Sequence, residues 1–162
     1  MNGYSKKVKD LFDKQSSENI ANSSVEHATV LYQEMFKHAQ RQINILCKNI
    51  SPEVFDSPDV LNAVDYLDKN KVCLNIAFQD ETPKASKFLK KILESDNIKV
   101  SIFRVGQLLV EQRTSANFAT MDDQAYRFEP DREYCRAIAS ANDKDFVSRL
   151  NNFFEKMTKV QA

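Results

Sequence analysis

The hydrophobic positions of the chain follow two alternating periods. Apolar residues recur at helical spacing in five segments. Three short continuous apolar runs, of the kind found in buried strands, follow the second, third and fourth of these segments. The connections between these runs are long enough for crossover helices between parallel strands. The pattern predicts helices over residues 4–14, 24–40, from 58, from 83 and over 143–157, and strands over 43–47, 71–78 and 98–105.

The last third of the chain changes character. Residues 114–142 show three strand-like segments joined by short turns, which predicts antiparallel pairing. We therefore expect a single α/β domain over residues 1–162, with a mixed sheet and helices on both faces. Residues 1–22 are predicted to be an N-terminal helical extension followed by a polar linker.

Four local signals predict where helices begin. Ser23 with Glu26 three residues later has the spacing of a capping box. Ser57–Pro58 and Thr82–Pro83 each place a hydroxyl side chain before a proline, which is favoured at the first helical position. Asn142, with Asp145 three residues later, is the predicted N-cap of the last helix.

Charge and cysteine content narrow the function classes. The 23 basic and 23 acidic side chains cancel, which removes bulk positive charge as an argument for nucleic-acid or membrane binding. No apolar run approaches the roughly 20 residues that span a bilayer, so we expect no membrane partner. Cys47, Cys73 and Cys135 form no paired spacing, which is typical of reduced thiols in a cytoplasmic protein and predicts no metal site.

Several kinds of catalytic motif are missing. The only glycines, Gly3 and Gly106, form no phosphate-binding loop, which excludes P-loop and dinucleotide fingerprints, and we expect no cofactor. His27 and His38 share one helix face about 16 Å apart, too far to bind one metal. Each is interpreted as a surface or half-buried helix residue, with a catalytic role as the alternative.

The strand-rich stretch carries three groups with two interpretations each. Asp122–Asp123 is either a hairpin turn or a carboxylate pair. Arg127 and Arg136, on successive strands, could point the same way and bind an anion, or form salt bridges. The salt-bridge partners would be Glu129, Asp131 or Glu133. The strand aromatics could stack on bases or belong to a core or interface; they are Tyr126, Phe128 and Tyr134.

Taken in this order, the chain resembles one half of the phospholipase D superfamily over residues 24–157. That family has a His-x-Lys-x4-Asp motif on a strand and turn, and a return strand that ends in Gly-Ser-x-Asn before a helix. The matching segments here are the strand 117–121, the turn Asp122–Asp123 and the closing run 139–142, Ala-Ser-Ala-Asn. The resemblance implies the mixed α/β fold of that family and a homodimer, because active members bring two such halves together.

The departures from the motif concern its chemistry. No histidine or lysine lies between Ser101 and Asp143. With Asn117 at the histidine position, Ala119 replaces lysine and Gln124 replaces aspartate; a shift by one or two positions aligns Asp123 or Asp122 but supplies no histidine. The family mechanism needs a histidine nucleophile, which neither alanine nor asparagine replaces.

The sequence therefore predicts a non-catalytic binding or assembly module. It could keep a remnant site for an anion, either a phosphate-containing ligand or nucleic acid. The alternatives are a phosphodiesterase or nuclease with relocated catalytic groups, and an unrelated α/β domain. The predicted ligand-binding residues are Arg104, Arg113, Asn117, Asp122, Arg127 and Arg136.

Overall fold

A seven-stranded mixed sheet forms the centre of the molecule in a computed structural model. The structure describes residues 2–131 and 136–159, and of Ser86 only the backbone. The helices are α1 (Gly3–Asp13), α2 (Val25–His38), α3 (Pro52–Phe55), α4 (Pro58–Lys69), α5 (Ser86–Glu94), α6 (Gly106–Glu111) and α7 (Lys144–Lys159). The strands are β1 (Asn19–Asn22), β2 (Gln42–Cys47), β3 (Cys73–Phe78), β4 (Lys99–Arg104), β5 (Asn117–Met121), β6 (Ala125–Asp131) and β7 (Arg136–Ser140).

The strand order is β1-β7-β6-β5-β2-β3-β4. Strands β2, β3 and β4 are parallel, as their crossover helices require. Strands β5, β6 and β7 form an antiparallel meander, and β5 joins the parallel half by pairing antiparallel with β2. The predicted α/β fold with a mixed sheet is confirmed.

Helices cover both faces of the sheet. Helices α1 to α5 enclose the larger hydrophobic core, in which Phe36 and Phe88 are fully buried. Helices α6 and α7 enclose a smaller core on the other face, where Phe118 and Phe154 are buried. A chain of side-chain hydrogen bonds ties α7 to the sheet through Asn151, whose Oδ1 accepts from Asn44 and Thr120 and whose Nδ2 donates to the Asp122 carbonyl.

The segment predicted as a polar linker contains strand β1. Its four residues pair antiparallel with β7, and Ile20 and Asn22 are buried. Two apolar residues in the sequence NIAN are too few to show a period of two, so the strand is defined by the partner it meets rather than by its own pattern. Helix α1 also belongs to the larger core, through Val8, Leu11 and Phe12.

Two N-caps differ by one residue from the prediction. Ser24 rather than Ser23 caps α2, with its side chain accepting the His27 N–H. Glu26, the other residue of the predicted capping box, instead accepts from the side chain of Asn2, the N-cap of α1. For α7, Asp143 rather than Asn142 accepts from the Phe146 N–H at 3.1 Å, while the Asn142 N–H donates to Ser140 Oγ.

The start signals that contain proline had mixed outcomes. Ser57 caps α4 as predicted, with Pro58 at the first helical position. Thr82–Pro83 does not start a helix, because the Asn49 side chain bonds the Thr82 carbonyl and the Lys84 N–H and holds the segment in a loop. Helix α5 therefore begins at Ser86.

Candidate functional site

A pocket of about 250 Å³ opens where β2 ends and β5 begins. The carboxyl ends of parallel strands are where open α/β sheets place their binding crevices. The first turn of α2, the loop after β2 and the end of β6 form its walls. We call it the Arg127 pocket; it is lined by Ser24, Val25, Ala28, Tyr32, Cys47, Asn49, Ser51, Glu53, Val54, Phe55, Asn117, Arg127 and Glu129.

A buried ion pair lies in the wall of this pocket. Arg127 and Glu129 are two residues apart on β6, so their side chains share one face of the sheet. The Arg127 Nη1 donates to Glu129 Oε2 at 3.1 Å, and both side chains are 8% exposed. Of the two interpretations of Arg127, the salt bridge is confirmed. Burial of both charges makes the pair a fixed dipole within the pocket wall.

Residues of the N-terminal segment hold this ion pair in place. Arg127 Nε donates to Asn22 Oδ1 at 2.6 Å, and Asn22 Nδ2 donates to the Tyr4 hydroxyl at 2.8 Å. The Tyr4 hydroxyl donates in turn to the Ala21 carbonyl. Burial raises the pKa of Tyr4, against the lowering effects of Asn22 and the Arg127 charge. Helix α1 and strand β1 are therefore part of the site, a role that no sequence pattern in residues 1–22 indicated.

Tyr32 contributes a second hydroxyl near the guanidinium. It is buried beside Cys47 and packs against Phe55, with 4.7 Å between the ring centres. Burial raises the pKa of this tyrosine strongly, and the nearby Arg127 charge opposes the rise. The Tyr32 hydroxyl therefore stays protonated and can donate or accept a hydrogen bond.

Asn117 occupies the first position of β5 and lines the Arg127 pocket. Its Oδ1 accepts the backbone N–H of Lys48, which fixes the chain where it leaves β2. Among the six predicted ligand-binding residues, Asn117 and Arg127 are the two that line this pocket.

Asp122 lies at the other end of β5, about 16 Å along the strand. Its carboxylate accepts three backbone N–H groups, those of Gln40, Arg41 and Gln42. The residue has a left-handed backbone with φ 55°, which Asp tolerates better than most residues. The hairpin-turn interpretation of Asp122–Asp123 is confirmed, and Asp122 holds that turn to the start of β2.

The remaining predicted residues lie elsewhere. Arg104 forms an exposed ion pair with Glu81 beside a separate pocket at Gly106. Arg113 is an exposed residue with φ 53° that follows α6. Neither residue lines the Arg127 pocket.

Arg127 and Arg136 face opposite sides of the sheet. Arg127 pairs with Ala139, whereas Arg136 shares its face with Ile138, two residues along β7. The prediction that the two guanidiniums point the same way is wrong, because the strand register and the bulge between Phe128 and Asp131 decide which face each takes. Glu133, Tyr134 and Cys135 lie outside the described residues, and anion binding by the hairpin stays a prediction.

Both histidines pack against α1. His27 stacks on Tyr4 with 3.6 Å between ring centres. His38 Nδ1 lies 2.9 Å from the Glu34 carbonyl oxygen and Nε2 lies 3.1 Å from Asp13 Oδ1. Both side chains are half-buried on α2, which confirms the interpretation of each as a surface or half-buried helix residue.

The strand aromatics within the described range belong to a core. Tyr126 and Phe128 meet Phe146 of α7 edge to face, at 4.6 and 5.3 Å between ring centres. Within residues 2–131 and 136–159, no cluster of three or more potential metal ligands occurs. No helix in the same ranges is long and apolar enough to cross a membrane.

No protein-family model and no curated protein matches the chain. Solved structures do match. NucT from Helicobacter pylori has a TM-score of 0.60 at 11% identity, over 88% of this chain and 96% of that one. Nuc from Salmonella typhimurium, a phospholipase D family member, has a TM-score of 0.60 at 14% identity, over 88% and 94%.

A third similar structure is TrmBL2, an archaeal chromatin protein. Its TM-score is 0.58 at 15% identity, over 93% of this chain. This chain spans 56% of the TrmBL2 chain. The likeness to NucT and Nuc over nearly their whole length confirms the fold that the hairpin and closing run predicted: the chain has a phospholipase D-like fold.

Proposed function

We propose that this chain, a domain with the phospholipase D-like fold, is a non-catalytic binding or assembly module. The observation that carries the proposal is the residue content of the hairpin. Asp122, at the β5–β6 turn, is aligned with the aspartate of the His-x-Lys-x4-Asp motif. Counting back by the motif spacing then places Asn117 at the lysine and Ser115 at the histidine.

Neither position keeps the chemistry of the family reaction. The serine hydroxyl is a weak nucleophile unless a base activates it, and no histidine or lysine occurs between Ser101 and Asp143. The amide of Asn117 carries no charge to stabilise a phosphoryl group. Arg127, the cation that shares the pocket lining with Asn117, is already paired with Glu129.

The binding site that we propose is the Arg127 pocket. Its polar lining is pre-organised, because Asn22 and Glu129 accept hydrogen bonds from the guanidinium and hold it in one position. The structure of TrmBL2 was described for its mode of DNA binding, which supports nucleic acid as a partner class for this chain too. A phosphate-containing ligand is the other class that we carry forward.

Self-association as a two-fold dimer is the assembly part of the proposal. The support is the resemblance to proteins that join two such halves, and an isologous contact would need one self-complementary surface. Light scattering during gel filtration would show twice the 18.6 kDa chain mass. A mass that stays at the single-chain value at every concentration would contradict the dimer. The three cysteines of the sequence, which show no paired spacing, support a reducing compartment such as the cytoplasm.

The test of the proposal is a turnover assay in EDTA. Plasmid, single-stranded DNA, RNA and a chromogenic phosphodiester are each incubated with the purified protein. We expect no hydrolysis above buffer. Hydrolysis that persists through purification and is lost in Asn117→Ala or Asp122→Ala would contradict the proposal.

One observation favours the second candidate, a phosphodiesterase with relocated groups. His38 lines a pocket with Lys37 and Asp122, and Asp13 lies within hydrogen-bond distance of its Nε2. A histidine oriented by a carboxylate is a common catalytic arrangement. However, both ring nitrogens contact oxygen acceptors, so neither is directed at a substrate. Any turnover lost in His38→Gln, but not in Asn117→Ala, would identify this second candidate.

A further inference from the structure

We propose that the Arg127 pocket binds the hydrogen-bonding edge of one nucleobase, an uncharged planar ring, rather than a phosphate group. This inference rests on the proposed function, because it assigns a ligand to the binding pocket of a non-catalytic domain. The base could belong to a free nucleoside or to a single-stranded nucleic acid, and both sources present the same edge.

The charge of the pocket does not select an anion. Its lining contains one guanidinium, that of Arg127, and two carboxylates, those of Glu53 and Glu129. The N-terminus of α2 adds a partial positive charge of about half a unit. The sum is about half a negative charge, and Glu129 would repel a phosphate placed against Arg127. An uncharged ligand avoids that repulsion.

The buried ion pair offers a donor and an acceptor side by side. Arg127 Nη1 and Glu129 Oε2 lie 3.1 Å apart, and both residues line the pocket. The bonds to Asn22 and Glu129 use two of the five N–H donors of a guanidinium, and the Tyr32 hydroxyl, itself part of the pocket lining, interacts with a further one. Nucleobase edges place an acceptor and an amino or imino donor on neighbouring atoms, and arginine and glutamate side chains read such groups in protein–DNA interfaces. Arg127 can therefore donate to the acceptor of a base edge while Glu129 accepts from its amino or imino group.

The walls of the pocket suit a flat ring. Val25, Ala28, Val54, Tyr32 and Phe55 line it with apolar and aromatic surface. Base–aromatic contacts favour binding whatever the sequence, because every base has a π-face. A free sugar would leave most of its hydroxyls against these apolar walls without partners.

The size of the pocket limits the ligand to about one ring system. At about 250 Å³ it lies just below the roughly 300–1,000 Å³ of common small-molecule sites. The polar side chains of Ser51, Asn49 and Asn117 belong to the same lining and are partly exposed. A ribose attached to the base would meet these groups rather than the apolar walls.

The experiment is an NMR titration of the full chain, labelled with ¹⁵N. The probes are the four common ribonucleosides one at a time, four homopolymeric single-stranded oligodeoxynucleotides, ribose and inorganic phosphate. We expect saturable shifts at Asn117, Arg127 and Glu129 with at least one nucleoside, and none with ribose or phosphate. Binding of an oligonucleotide of the same base at the same residues would identify a single strand as a source; binding of the nucleoside alone would identify a free ligand.

Two variants test the assignment to the ion pair. Glu129→Gln keeps the shape and an acceptor for Arg127 but removes the charge, and we expect about a tenfold loss of nucleoside affinity. Asn117→Ala gives a second pocket variant in case Glu129→Gln does not fold. Glu81→Gln, an exposed glutamate outside the pocket lining, is the matched control and should leave affinity unchanged.

The outcomes separate this inference from the proposed function. Saturation by phosphate alone, saturation by no probe, or nucleoside binding unaffected in both pocket variants would overturn the inference. The turnover assay on the same preparation judges the proposed function independently. A protein that shows no turnover and binds no nucleoside would remain non-catalytic and would lose only this ligand.

Discussion

The carboxylate of Asp122 accepts the backbone N–H of Arg41 at 2.8 Å, across 81 residues of sequence. The same carboxylate also accepts the N–H groups of Gln40 and Gln42. The three donors lie between the end of α2 and the start of β2, where the backbone would otherwise lack ladder partners. Asp122 therefore joins the hairpin to the parallel half of the sheet.

We expect Asp122→Ala to lower the free energy of unfolding by about 2–4 kcal/mol, because it leaves three N–H groups without an acceptor in a partly buried position. Urea denaturation monitored by circular dichroism measures the change. The control is Asp123→Ala. This change removes only an ion pair with Arg41, and the Asp123 side chain in that pair is 70% exposed. That variant should change stability by less than about 1 kcal/mol. Equal effects of the two variants would contradict this role for Asp122.

The Arg127–Glu129 pair should behave as a coupled unit. Removing either partner leaves the other charge buried and unpaired, so Arg127→Met and Glu129→Leu should each cost about 3–5 kcal/mol. The double variant removes both charges, and it should be destabilised by clearly less than the sum of the single variants. A double-mutant cycle from urea denaturation gives the coupling free energy. Additive single effects would show that the two side chains do not depend on each other.

The sheet and the long helices could be predicted from the sequence because their apolar residues repeat over many positions. Strand β1 and helices α3 and α6 have four, four and six residues, which is too short for a period to show. The candidate site was harder to predict from the sequence. Arg127 and its partner Asn22 are 105 residues apart, and they meet because β1 and β6 both pair with β7.

Residue spacing alone could not show whether the two arginines face the same side of the sheet. Arg127 and Arg136 lie on neighbouring strands, but the bulge between Phe128 and Asp131 adds a residue to one strand only. One added residue reverses which face a side chain takes. The partner of Arg127 could be foreseen because Glu129 follows it by two positions on the same strand, which puts both side chains on one face.

Glu34 should make the stability of the chain depend on pH. Burial raises the pKa of this carboxyl above its ordinary value of 4.5, and the charges of Lys37 and His38 oppose the rise only in part. A raised pKa means that the folded state holds the proton more tightly than the unfolded state. The stabilisation is therefore complete below about pH 4.5 and is lost as the pH rises through the pKa of the folded state.

The variant Glu34→Gln removes this titration. We expect it to melt at a higher temperature than the parent chain at neutral pH, with the difference vanishing below about pH 4.5. Thermal melts across that range, followed by circular dichroism, measure the difference. Glu94→Gln, at an exposed position on α5, controls for the loss of one charge. A Glu34→Gln difference that stays constant with pH would show that the carboxyl does not titrate differently on folding.

Gly106 should resist replacement although it is the first residue of a helix. Alanine within a helix is normally favoured over glycine by about 0.5–1 kcal/mol. At Gly106, however, an added Cβ would lie 2.8 Å from the carbonyl oxygen of Gln79, a backbone atom just after β3, so the backbone would have to shift to accept it. We therefore expect Gly106→Ala to destabilise the chain by about 1–3 kcal/mol.

Gly3, the first residue of α1, offers a matched control, because a Cβ there meets no atom within 4 Å. Gly3→Ala should be neutral or slightly stabilising in the same urea titration. A Gly106→Ala chain as stable as Gly3→Ala would mean that the loop after β3 moves aside easily, and that α6 is not held closely against it.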